Sequence, residues 1–250
     1  MVQITENNYR ERILSYYDKV APDYGVKHGA DLAGGQYGFG ELYKKVLAPY
    51  FSKGAKVLEL GCGNGASSEM LASYGVELTA TDISDEMLII ARSRDIPNTK
   101  FLRLDAMALG EAQQLGQFDV ITAFNSFAYY PAKAKVLREL RSHLNENGRL
   151  VILDMNALCP VYPLSAWIGR LEMSSWWSTT KEMTPSGLRR LFAEAGYRVE
   201  RLETLNFVPH AVGGAVFQLL KFVNPLLNAT PLVNKLAMRV LIVVEPLPDS

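Results

Sequence analysis

The run VLELGCGNG, Val57 to Gly65, constrains this chain more than any other stretch. The segment KVLEL reads as a buried strand, and glycines at 61, 63 and 65 end it. ASSEMLASY follows with helical spacing, and Gly75 stands where a residue past the helix end would stop it. A strand that breaks into glycines and reopens as a helix brings bare backbone up to a ligand at a helix N-terminus. In open α/β sheets such ligands sit beyond the carboxyl ends of the strands, where the strand order reverses.

The rest of the chain keeps that rhythm. VELTATD is a second strand, and Ser84 or Asp85 can cap a helix over DEMLIIARSR. TKFLRL and FDVITAF are strands three and four. AKAKVLRELRSHL is a helix with Pro131 in its first turn, and GRLVILDM is strand five. Thr184-Pro185 opens a helix over SGLRRLFAEA that Gly196 closes. YRVERLETLNF and AMRVLIVVE are strands six and seven. Strand alternating with helix predicts right-handed crossovers and a mostly parallel sheet covered on both faces. Three regions break the rhythm. Residues 1–54 read as two helices around the loop HGADLAGGQYGFG. Residues 156–183 carry Trp167, Trp176 and Trp177, and 208–235 separate strands six and seven. Long connections in a compact domain are usually lids or binding loops, and all three are expected at one end of the sheet.

Spacing and charge narrow the ligand. A dinucleotide fingerprint is G-x-G-x-x-G, with room for a pyrophosphate. Here the third glycine comes one position early. Glu59 stands two residues before the first glycine, Asp82 ends the second strand, and Asp105 follows the third. A carboxylate at 59 repels a pyrophosphate and attracts a cation. The loop carries no Lys or Arg. The ligand implied has a ribose and an adenine, no phosphate and a positive charge, a description that S-adenosylmethionine meets. A nicotinamide dehydrogenase is disfavoured on the same grounds.

In VLELGCGNG, TATDIS, RLDAMAL and FDVITAFNSFAYY, in that order and at that spacing, the chain resembles the class I S-adenosylmethionine-dependent methyltransferases, small-molecule type. YYDKVAPDYG near the N-terminus is similar to the segment that many such enzymes place over the cofactor. The resemblance implies a Rossmann-like seven-stranded sheet with the last strand antiparallel, a helical N-terminal cap and lid insertions. It divides the chain into a cap (1–54), a cofactor-binding core (55–155), a lid insertion (156–183) and a segment completing the sheet (184–250). It also implies roles. Gly61, Gly63 and Gly65 approach the methionine and ribose, beside Glu59, and Asp82 holds the ribose hydroxyls. Ile83 and Met87 pack near the adenine, whose amino edge Asp105 and Ala106 reach. Asn125 faces the methionine part, and Tyr17 and Tyr24 close over it. Asp105 also reads as a plain helix cap, the tyrosines of the first helix as plain core, and Cys62 as a loop filler. No metal site is expected.

Methyl transfer from a sulfonium is an in-line displacement, so alignment and dryness matter most. A phenolic acceptor needs help to lose its proton, which a histidine can give. His28, in the cap loop, and His210, after strand six, are the candidate bases. Tyr129, after strand four, is the third catalytic candidate, placed with Tyr130 to line the acceptor pocket or merely to pack, and His143, late in a helix, is not favoured. The function expected is methylation of O or N on a small aromatic or apolar acceptor. Alternatives are a lipid-linked or carrier-bound acceptor, or a cofactor-binding protein without turnover.

Lys and Arg number 26 and Asp and Glu 26, so no basic field gathers nucleic acid. The segment after strand four, NSFAYY, lacks the Asx-Pro-Pro-aromatic signature of base-amino methylases. Two cysteines make no disulfide framework, which fits a reducing cytoplasm. The polar start MVQITENNYRERILSYY lacks a secretory apolar region. The apolar stretch 211–244 reads as ordinary core of the last helix and strand, with membrane contact through 211–240 as the alternative. Monomer and homodimer both remain open.

Overall fold

A computed structural model describes residues 5–27, 39–112, 115–163, 177–207 and 214–248. Its frame is one seven-stranded sheet in the order β3-β2-β1-β4-β5-β7-β6. The strands are β1 (Lys56–Leu60), β2 (Glu77–Asp82), β3 (Thr99–Arg103), β4 (Phe118–Phe124), β5 (Leu144–Met155), β6 (Tyr197–Leu205) and β7 (Arg239–Pro246). All neighbours pair in parallel except β7, which runs antiparallel between β5 and β6. The last strand is therefore the antiparallel one, as the resemblance implies.

The central strands are apolar because both of their faces are covered. Val57, Leu58 and Leu60 of β1 are buried, as are all but Asp119 in β4. The helices start and stop where the sequence places them. Ser84 caps α4 (Asp85–Arg92) by accepting from Met87 N. Thr184 caps α7 (Pro185–Glu194) by accepting from Gly187 N. Left-handed Gly75 lies three residues beyond α3 (Ala66–Ala72), the helix that follows β1 as α2 (Phe39–Leu47) precedes it. One helix differs from expectation: α5 starts at Lys133 behind cap residue Ala132, so Pro131 lies before it. It ends at Leu140, and Arg141–His143 tighten into a 3-10 turn. His143 is buried there with Nδ1 3.0 Å from the Gly116 carbonyl, a structural role.

The strand order reverses between β1 and β4. The carboxyl ends of those two strands face the N-terminal helix α1 (Glu6–Lys27), which packs against α4. Beyond β5, the short helix α6 (Trp177–Thr180) leads into α7. Between β6 and β7 stand α8 (Gly214–Ala229) and α9 (Pro231–Asn234). Leu205 of β6 is paired with Arg239 of β7, so this insertion rises from the same end of the sheet as the glycine loop.

Candidate active site at the switch point

The loop after β1 is pinned on both sides. Cys62 N extends the β1–β2 ladder by donating to the Thr81 carbonyl at 2.9 Å. Gly63 N donates to Asp82 Oδ2 at 2.8 Å, and Ser84 N donates to Oδ1 at 2.9 Å. Each oxygen of Asp82 keeps a further lone pair for a ligand hydroxyl. The three glycines differ in what crowds them. At Gly61 a Cβ would lie 2.5 Å from the Ser126 Cβ, so glycine lets the β1 and β4 loops meet. At Gly65 it would meet Ala91 and Arg94 of the α4 region. At Gly63, with φ +53, it would meet nothing within 4 Å. Gly63 is the open one, and a ligand can approach its backbone.

Glu59 lies under this loop, fully buried. Its Oε2 accepts from Ser68 Oγ at 2.5 Å. Its Oε1 has no hydrogen-bond partner among the described residues. Burial raises its carboxyl to about 7, partly opposed by the hydroxyls of Ser67 and Ser68 and reinforced by Asp82. Burial raises the carboxyl of Asp82 as well, against three backbone N–H donors. Two more buried atoms at the loop ends lack partners among the described residues: Asn64 Nδ2 and Asn125 Oδ1. Asn125 follows β4 with φ +54. Strong local determinants thus hold two acids and two amides short of a counter-charge and of hydrogen-bond partners. A ligand bringing an ammonium, a sulfonium and hydroxyls satisfies that set, so the residues present fit S-adenosylmethionine. A pyrophosphate would add charge to carboxylates already raised by burial.

Asp105 is a cap: its Oδ1 accepts from Met107 N at 2.9 Å. Its Oδ2 is paired with Arg10 of α1 at 2.9 Å. Ala106 beside it is buried, Met87 fully so, and Ile83 packs on the core edge. Asp18 of α1 accepts from Ser84 Oγ at 2.6 Å. Arg10 and Asp18 therefore dock α1 onto the loops after β3 and β2. Neither was singled out in the sequence. The only signal was that both share one helix with the tyrosines.

Tyr16, Tyr17 and Tyr24 form a wall on α1, with ring centroids 5.1 Å apart for the first pair and 6.0 Å for Tyr17 and Tyr24. Burial raises the Tyr17 phenol far above its ordinary value, with Tyr129, Tyr24 and Asp82 adding to the effect. Tyr129 is raised too, by burial first and Asp154 second. A phenol so held keeps its proton at neutral pH, so Tyr129 suits a donor or lining role and not that of a base. Asp154, in ILDM of β5, is a buried acid that sequence reasoning passed over. Its oxygens accept from the backbone N of Ala128 and Met155, with Arg239 and Lys133 opposing the rise that burial imposes. His28, His210, Trp167 and Trp176 lie outside the described residues.

Comparison with known proteins agrees with this geometry. Residues 36–202 match the family model described as "Methyltransferase domain". A ubiquinone biosynthesis O-methyltransferase of Xanthomonas axonopodis pv. citri is 26% identical over 162 residues, covering 62% of this chain and 68% of that protein. The structure of a DhpI–SAH complex matches with a TM-score of 0.63 at 17% identity, over 98% of this chain and 100% of that one. Magnesium protoporphyrin IX methyltransferase of Synechocystis PCC 6803 with bound SAH matches with a TM-score of 0.61 at 15% identity, over 94% and 98%. At those identities the solved structures speak for the fold.

Proposed function

The chain belongs to this methyltransferase-domain family, and we propose that, as an S-adenosylmethionine-dependent methyltransferase, it methylates an oxygen or nitrogen of a small aromatic or apolar acceptor. The observation that carries the reading is the set of unpartnered buried atoms, Glu59 Oε1, Asn64 Nδ2 and Asn125 Oδ1, around the open backbone of Gly63. The relative named an O-methyltransferase of ubiquinone biosynthesis supports an apolar, oxygen-bearing acceptor.

S-adenosylmethionine supplies an electrophilic methyl group on a sulfonium. The chain's part is to bind, align and keep water out. Glu59 and Asn125 hold the methionine end, directly or through one water. Asp82 takes the ribose hydroxyls, and Ile83, Met87 and Ala106 flank the adenine. Asp105, already shared between Arg10 and Met107 N, offers its remaining lone pairs to the adenine amine. Tyr17 and Tyr24 cover the site from α1, with residues 1–54 acting as a cap and 156–183 as a lid. Tyr16 and Tyr129 give the acceptor side an aromatic lining, and flat or greasy molecules bind such walls. His28 or His210 takes the proton of a hydroxyl acceptor.

The test is turnover to S-adenosylhomocysteine against a panel of phenols, quinol analogues, amines and carboxylates. Turnover on phenols or quinols supports the reading. Turnover confined to carboxylates or to charged polar amines overturns it. A thermal shift with S-adenosylhomocysteine and no turnover on any soluble acceptor moves the weight to a lipid-linked or carrier-bound acceptor.

A further inference from the structure

Lys133 is a buried cation at the wrong end of a helix. It opens α5, where the helix dipole disfavours positive charge, and it is 2% exposed. Burial lowers its ammonium to about 8, opposed first by Glu182 and then by Asp154. Among the described residues its hydrogen bonds go to two backbone carbonyls: Tyr130 O at 2.8 Å, and Thr179 O. The Phe127 ring lies beside it, with its centroid 5.9 Å from Nζ. A hydrocarbon side chain of that length would fill the space without the cost of burying a charge. What it could not do is give donors to two carbonyls of buried residues. Thr179 belongs to α6, a helix of four residues, too short to pair its last carbonyls within itself.

The two carbonyls come from different parts of the site. Thr179 sits just before α7, and Ala157 N donates to Met183 O at 2.8 Å, which joins this stretch to the end of β5. Tyr130 ends the segment after β4. Its ring meets that of Phe127 edge-on with centroids 5.8 Å apart, and that of Tyr9 of α1 at 6.4 Å. Its hydroxyl lies 3.5 Å from Ser126 Oγ, and a Cβ on Gly61 would come within 3.7 Å of it. Tyr130 therefore leans on the glycine loop and on the N-terminal helix together. Its neighbour Tyr129 lies towards Asp154, Tyr24 and Tyr16, on the side proposed for the acceptor. The step from 129 to 130 thus spans the two halves of the site. It is held twice: Asp154 Oδ2 accepts from Ala128 N at 3.0 Å, and Lys133 donates to Tyr130 O. Of these two ties, the one through Lys133 also reaches α6.

We propose that Lys133 is a positioning residue for methyl transfer: by holding Tyr130 and α6 on one ammonium group, it fixes the step from Tyr129 to Tyr130 against the glycine loop and so sets the alignment of acceptor with methyl. In-line displacement makes its demand on geometry, so a shift of about 1 Å at this step costs turnover far more than cofactor binding. This role rests on the methyltransferase reading for its kinetic consequence alone.

The experiment compares the full chain with Lys133→Met, which keeps the reach and loses the donors, and with Lys133→Gln, whose amide can serve one carbonyl. Amide hydrogen exchange is followed in peptides over Phe127–Tyr130 and Trp177–Thr184, with and without S-adenosylhomocysteine. Affinity for S-adenosylhomocysteine, and kcat and KM on an acceptor that the parent methylates, are measured beside it. In Lys133→Met, exchange should rise by about tenfold or more in both peptides together, while β1 and β2 stay as protected as in the parent. Affinity for S-adenosylhomocysteine should stay within about threefold, and kcat should fall by about tenfold or more, with Lys133→Gln in between. S-adenosylhomocysteine should slow exchange over Trp177–Thr184 in the parent and not in Lys133→Met. A Lys133→Met protein with the parent's kcat overturns the proposal. So does exchange that rises in one peptide alone or across the whole sheet, and so does cofactor affinity that falls as far as kcat. If Lys133→Met does not fold, Lys133→Gln carries the same readouts. If no acceptor is methylated, the coupling of the two peptides decides. A parent whose melting temperature ignores S-adenosylhomocysteine sinks the donor reading, and the two peptides of the free chain still test the clamp.

Discussion

Gly63 and Asp82 are nineteen residues apart, and the backbone N–H of one donates to the carboxylate of the other at 2.8 Å. That bond joins the glycine loop of β1 to the end of β2. The group proposed to hold the ribose is thereby also the group that shapes the loop proposed to receive the methionine end.

Asp82→Ala should therefore weaken cofactor binding doubly. Two charge-assisted hydrogen bonds to ribose at about 1.5–3 kcal/mol each make a loss of about a hundredfold or more. Release of Gly63 N adds to it. Titration calorimetry with S-adenosylhomocysteine measures the loss. An unchanged affinity would remove the ribose from this place.

The three glycines should separate stability from binding. Gly63→Ala puts a methyl group into open space at φ +53, where backbone strain costs about 1–2 kcal/mol. Cofactor affinity should fall further than stability does. At Gly61, φ +70, the new Cβ would sit 2.5 Å from that of Ser126, and overpacking of about 1–3 kcal/mol joins the same strain. Gly61→Ala should lower the melting temperature more than Gly63→Ala. Equal losses of stability in the two proteins, with equal affinities, would contradict this division.

Much of the fold was legible because both faces of the sheet are covered. KVLEL, FDVITAF and LIVV could be little but interior strands, and glycines 61, 63 and 65 marked the switch point at the end of the first. Ser84 and Thr184 announced their helices by residue type. What stayed hidden depends on contacts across long sequence separation. Arg10 meets Asp105 over 95 residues and Asp18 meets Ser84 over 66, and no local pattern encodes either pairing. The stretch 211–244 reads as ordinary core, and nothing in its letters told that Leu219, Phe222 and Leu226 of α8 stand 62%, 84% and 70% exposed while Asn224 and Asn228 accept from the backbone N of Phe207 and Asn206.

Proton removal from the acceptor is predicted to depend on a histidine and not on Tyr129. Burial and Asp154 hold the Tyr129 phenol well above its ordinary value. Tyr129→Phe should change turnover through KM more than kcat. His28→Ala or His210→Ala should lower turnover on a phenolic acceptor by about a hundredfold or more, with cofactor affinity intact. If both histidine variants keep full turnover, the acceptor needs no base, and an amine becomes the candidate.

Glu59 should give pH opposite effects on stability and on binding. Its carboxyl titrates near 7 in the folded chain, against an ordinary 4.5. Between those values the folded state holds more proton than the unfolded one, so stability falls as pH rises. The contribution is fully present below about 4.5 and gone above about 7, and its ceiling is about 3 kcal/mol. A cationic cofactor prefers the ionised acid, so affinity for S-adenosylmethionine should rise over that same span, by up to about tenfold per pH unit. Above about 7 the acid is already ionised in the free protein and the gain should level off; above about 8 the ammonium of the cofactor begins to lose its own proton, and affinity should fall. Glu59→Gln should flatten the rise in affinity and make the unliganded protein less sensitive to pH, leaving the fall due to Asp82, whose carboxyl burial raises in the same sense. Melting temperatures and calorimetric affinities from pH about 5.5 to about 8 read both trends. A parent protein whose cofactor affinity ignores pH, or a Glu59→Gln protein that keeps the full slope, would show that this buried acid does not answer the charge of the ligand.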